Sequence, residues 1–123
     1  MSLFEVKPVD TEYYQTHIRD FVPDRMVDMH THVWKAELRK RKPSTGTRRT
    51  VSWPSLVARE NPIEDLLTTY ELMFPGKHVT PLIFASAGKR SDDFAACNNY
   101  ISASAHSHGV PALIFARPDW DAS

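Results

Sequence analysis

Two stretches in the second half of the chain, Val79 to Ala85 and Pro111 to Ala116, are apolar almost throughout, with Thr80 and Pro81 interrupting the first. Strands of that kind need cover on both faces, which parallel sheets flanked by helices provide. An earlier strand, Met26 to Val33, has a different pattern. Val27, Met29, Thr31 and Val33 alternate with Asp28, His30 and His32. Side chains two apart on a strand share a face, so this strand predicts one apolar row and one polar row.

Helical patterns separate the strands. Asn61 is placed to cap a helix and Pro62 suits its first turn. Ile63, Leu66, Leu67, Tyr70 and Phe74 give that helix an apolar stripe, and Pro75-Gly76 ends it. A second helix is expected over Arg90 to Ser107, with Ser91 as its cap, Phe94, Cys97, Ile101 and Ala105 on one side, and Gly109 as its stop. The order from residue 26 is strand, long loop, helix, strand, helix, strand. That is an α/β arrangement with parallel pairing and right-handed connections.

Two segments stand outside this alternation. Residues 1–25 form an N-terminal extension in which Glu12 to Phe21 suggests a short helix with Tyr13, His17 and Phe21 along one side, broken by Pro23-Asp24. Residues 34–61 form a long first loop, with a helical turn or two over Trp34 to Lys42 and with Trp53, Leu56 and Val57 as anchors. Loops of this length inside a domain are often functional. Residues 26–123 then make one incomplete domain. Three strands do not close a barrel, and the chain stops at Asp119-Trp120-Asp121-Ala122-Ser123, only a few residues beyond the third strand. The expected fold is therefore the N-terminal part, about three βα units, of a TIM (β/α)8 barrel, which needs roughly 250 residues. The alternative is a small three-stranded α/β domain.

Fifteen basic residues balance fifteen acidic ones, which gives no electrostatic case for nucleic acid as a partner. No apolar run reaches the roughly 18 residues of a membrane span, and no signal peptide opens the chain. Cys97 is the only cysteine, so an internal disulfide is excluded, in keeping with an expected cytoplasmic location. Lys35, Arg39, Lys40, Arg41, Lys42, Arg48 and Arg49 make a basic stretch that reads as a solvated face or as a contact for an anionic substrate. Gly88-Lys89-Arg90-Ser91 lacks the glycines of a phosphate loop. His106 and His108 sit at a helix end, where side chains two apart diverge. Asp119, Trp120 and Asp121 follow the third strand and could line a pocket.

His30 and His32 carry the chemistry. Two imidazoles on one face of a strand can share one metal ion, and neutral imidazole suits zinc and related divalent ions. The plain alternative is a pair of partly buried histidines at a strand end. Val27-Asp28-Met29-His30-Thr31-His32-Val33-Trp34 resembles the opening strand of the amidohydrolase superfamily, in its amidohydrolase-related branch of hydrolases and non-oxidative decarboxylases. The resemblance is specific at residues 27–34 and general over the two later strands. It implies that His30 and His32 are metal ligands and that Asp28 is structural. It also implies that the remaining ligands and the general base come from later strands, beyond residue 123. Asn98-Asn99-Tyr100 matches a structural asparagine-aromatic pair of the family. The implied function is metal-dependent hydrolysis of an amide, ester or lactone by the full-length parent, with the fragment itself inactive and with zinc as the expected ion. The alternatives are non-oxidative decarboxylation of a carboxylated substrate, or a non-catalytic α/β interaction module. The expected partner is a small-molecule substrate, with oligomer formation open.

Overall fold

The computed structural model describes residues 3–38, 58–86 and 93–120. Its centre is a parallel pair of strands, β1 (Arg25–Val33) and β2 (His78–Ala85). The helices α2 (Ile63–Met73) and α3 (Phe94–His108) cover one face of this pair. Val33, Ile63, Ile83 and Ile101 are fully buried at the junction, with Leu66, Tyr70, Ala85 and Cys97 packed around them. The chain is thus a small α/β fold. Among the described residues no helix is long and apolar enough to cross a membrane.

β1 is not a regular strand. Asp28 pairs with Pro81 and Thr31 with Ile83, so Met29 and His30 together face one residue of β2, Leu82. This is a β-bulge, and it changes the phase of the side chains. Downstream, Thr31 and Val33 turn into the core and His30 and His32 turn away from it. Upstream, Asp28 turns toward the helices, where it meets Tyr70, while Val27 and Met29 are 61% and 65% exposed. The unbroken polar row expected of Asp28, His30 and His32 is therefore corrected to a pair, and Val27 and Met29 lie outside the core.

The predicted third strand is also reduced. Ile83 makes an isolated parallel bridge to Ala112, through Ile83 N–H to Pro111 C=O at 3.1 Å and Leu113 N–H to Ile83 C=O at 2.9 Å. Extending this register would bring the N–H of Phe115 to the C=O of Ala85. Asn98 of α3 takes that place. Its side-chain oxygen accepts the Phe115 N–H at 2.9 Å, and its amide donates to the Phe115 carbonyl at 2.7 Å.

Helix ends follow local chemistry with two changes. Asp93, and not Ser91, caps α3, accepting the Ala96 N–H at 3.0 Å, and Gly109 closes it at φ 63°. Ser91 lies outside the described residues. Asn61 does not cap α2, because its side chain and backbone are used at the end of β1. The N-terminal extension begins its helix early, with α1 at Pro8–Tyr13, and passes into a π-helical turn, Tyr14–Ile18. Tyr14, not Tyr13 or Phe21, is the buried residue, and its hydroxyl donates to the Pro75 carbonyl at 2.9 Å. Lys77 holds the other end of the extension, donating to the Val22 carbonyl and to Asp24 at 3.0 and 2.9 Å. A mostly apolar cavity of about 610 Å³ lies between the extension and the C-terminal end of α2. It sits beside the start of β2, at the opposite end of the sheet from the histidines.

Candidate metal centre

His30 and His32 come from the C-terminal half of β1, and Phe84 comes from the end of β2 beside them. The two imidazole centroids are 5.1 Å apart, and both rings stand edge-on to Phe84, at 5.1 and 4.3 Å. A tetrahedral ion about 2.0–2.1 Å from each ligating nitrogen would stand about 3.2 Å from each ring centroid and so hold the centroids about 5 Å apart. The spacing in the structure fits one shared ion.

His32 is the better fixed of the two. Its Nδ1 lies 3.1 Å from the Ala85 carbonyl. A carbonyl only accepts, so this nitrogen carries a proton, and in the neutral ring Nε2 keeps its lone pair. Orientation of a ligand imidazole by a backbone carbonyl is the usual supporting arrangement at metal sites. The His32 carbonyl in turn accepts from the Asn61 side chain at 2.9 Å. Trp34 and Asn61 exchange two backbone hydrogen bonds at 2.9 Å, and the Trp34 indole donates to the Arg59 carbonyl at 3.2 Å. The long first loop is thus pinched shut at its base, directly after His32.

His30 is exposed at its ring and held through its backbone, whose N–H donates to Asp28 Oδ1 at 3.1 Å. Asp28 Oδ2 accepts the Tyr70 hydroxyl at 2.9 Å. Burial pushes the Tyr70 hydroxyl well above its ordinary range, and the neighbouring Asp28 carboxylate adds to the shift, so Tyr70 is a fixed donor at all ordinary pH. Among the described residues no group of three or more His, Cys, Asp or Glu side chains gathers around a common point. The histidine pair therefore stands without a third protein ligand there.

The remaining sequence candidates disperse. Lys35 lies over the Tyr100 ring at 5.3 Å from its centroid, and Tyr100 accepts the Ile63 N–H at the start of α2. Arg39, Lys40, Arg41, Lys42, Arg48 and Arg49 lie outside the described residues, as do Trp53, Leu56, Val57, Gly88, Lys89, Arg90 and Asp121. Asp119 forms a paired contact with Arg117 at 2.8 and 2.7 Å, which holds its carboxyl below the ordinary carboxylate value. His108 approaches Glu64 at 3.6 Å, His106 is exposed, and Cys97 is core. Sequence reasoning missed the parts played by Tyr70, Asn61 and Phe84. Tyr70 did leave a signal, because a tyrosine within an apolar helix stripe needs a polar partner once buried.

No protein-family model, curated protein or solved structure matches the chain.

Proposed function

We propose that His30 and His32 are two ligands of a divalent metal ion, zinc by donor chemistry, in a hydrolase of the amidohydrolase type acting on an amide, ester or lactone. In this reading the chain supplies the opening βα units of a (β/α)8 barrel, and its helix-free sheet face is the barrel interior. One observation carries the proposal. Two imidazoles stand 5.1 Å apart on the face away from the helices, near the C-terminal end of a parallel strand, with His32 Nδ1 committed to the Ala85 carbonyl. That end of the strands is where barrel enzymes hold their catalytic groups.

An ion held there would lower the pKa of a bound water toward about 7 and polarise a substrate carbonyl. The chain's own contribution is positional. Ala85 sets the His32 tautomer, Asn61 fixes the strand end, and Phe84 supplies an apolar wall beside both rings. Catalytic zinc sites use three protein ligands, so a third ligand and a base must join the pair before turnover is possible. Zinc titration followed through the imidazole resonances tests the proposal. One ion per chain is expected, with binding lost in His30→Ala and in His32→Ala. Equal binding by wild type and both variants would return the pair to a structural role.

A non-catalytic interaction module is the second reading. It is favoured by the exposed Val27, Met29, Leu113 and Ile114 and by the absence of a third ligand among the described residues.

A further inference from the structure

We propose that Asp28 and Tyr70 are positioning residues, holding the strand bulge on which the juxtaposition of His30 and His32 depends. The inference rests on the metal-pair reading and adds to it the device that aims the first ligand. The carboxylate of Asp28 works at both of its oxygens. One accepts the backbone N–H of His30, two residues on, at 3.1 Å, and the other accepts the hydroxyl of Tyr70, on α2, at 2.9 Å. The first bond closes the turn of the chain at Met29-His30. The second ties that turn to the helix layer.

The bulge runs against the local pattern of the strand. Val27, Met29, Thr31 and Val33 alternate without a break, and a regular strand would bury all four. Moving the residues before Thr31 by one position would set Met29 opposite Pro81 and Val27 opposite Val79. Both side chains, now exposed, would then turn toward the core. The same move would carry the Asp28 carboxylate to the open face and leave the buried Tyr70 hydroxyl without its acceptor. Hydrophobic burial thus favours the regular register, and the Asp28–Tyr70 bond opposes it. A buried hydroxyl losing its partner is the heavier penalty when the partner is charged.

The two registers differ at the histidines. In the bulged strand His30 packs on Phe84 at 5.1 Å beside His32. In the regular strand the Cβ atoms of same-face neighbours stand about 6.6 Å apart, and Asp28 would share that face with His30. Its carboxylate would then draw the His30 ring back along the strand. Asp28 would be too far from His32 to join a common ion, since four residues of strand span about 13 Å.

Two readouts on the full chain test this. Nuclear Overhauser contacts between His30 and Phe84, with solvent accessibility of the Met29 methyl, report the register. Zinc titration reports the pair. Tyr70→Phe keeps the buried ring and removes only the hydroxyl, and Asp28→Leu removes both bonds. Each is expected to lose the His30–Phe84 contacts, to bury Met29, and to weaken zinc about tenfold, the lower end of the usual effect of a supporting residue. Asp28→Asn keeps the His30 N–H bond at its amide oxygen but loses the charged acceptor of the Tyr70 hydroxyl, so both readouts should fall between wild type and Asp28→Leu. If Asp28→Leu fails to fold, Tyr70→Phe decides alone. Wild-type contacts and wild-type Met29 exposure in the folded variants would overturn the proposal. If wild-type protein binds zinc no better than His30→Ala, the metal-pair reading fails, while the register readout still decides the role of Asp28 and Tyr70.

Discussion

His30 and His32 differ in what they would cost to remove. His32 is half-buried and its Nδ1–H is bonded to Ala85, so His32→Ala should lower stability by about 1 kcal/mol. The His30 ring is exposed, and His30→Ala should stay within about 0.5 kcal/mol of wild type. Thermal melting without metal checks both. Equal losses at the two positions would contradict the asymmetry. A second residue-level expectation concerns acid. Lys77 holds the Asp24 carboxyl below its ordinary value of 3.8, first by hydrogen bonding and then by charge. A lowered folded-state pKa gives stability that is complete above the unfolded value and fades as pH falls through the folded one. The effect should be small, because Asp24 is fully solvated. The gap in melting temperature between wild type and Asp24→Asn should be complete above pH 3.8, small and in favour of wild type, and should close as pH falls through the lowered folded-state value.

At the scale of elements, Asn98 links a helix to the histidine pair without touching it. It takes both backbone groups of Phe115, and so the Ala85 carbonyl is left to accept from His32. Asn98→Leu should either strand the Phe115 N–H, at about 1–3 kcal/mol, or let it join Ala85 and displace His32. The nitrogen chemical shifts of His32, read beside the melting curve, separate the two routes. If neither quantity moves, Asn98 plays no such part. The elements themselves were legible in the sequence, because an apolar run or a helical stripe is a local signal. Val79 to Ala85 reads directly as β2, and the Ile63, Leu66 and Tyr70 stripe as α2. The bulge was not legible, since the alternation from Val27 to Val33 is unbroken and its opponent, Tyr70, lies 42 residues away. The short pairing of Ala112 was hidden for the same reason. An apolar run reports burial, and the hydrogen bonds of Phe115 were claimed by a side chain from another element. Of the site, the two histidines could be read from spacing, whereas the Ala85 carbonyl has no side chain to announce it.

At the scale of the whole molecule, one sheet face is covered by α2 and α3 and the other presents exposed Val27 and Met29. Exposed strand surface of this kind invites pairing with other chains. The chain is expected to associate in solution and to bind a hydrophobic dye. Met29→Lys should reduce both without lowering the melting temperature, as measured by light scattering and dye fluorescence. A wild-type monomer silent to the dye would refute this. The closed base of the first loop has a different consequence. Trp34 and Asn61 are joined by two backbone hydrogen bonds, so the two ends of the first loop are held side by side. Closing a longer loop adds entropy only logarithmically, about 0.6 kcal/mol for each doubling of length. The hold of Asn61 on His32 and Trp34 therefore depends little on how many residues separate its two sides, and a change of loop length should leave the strand end in place.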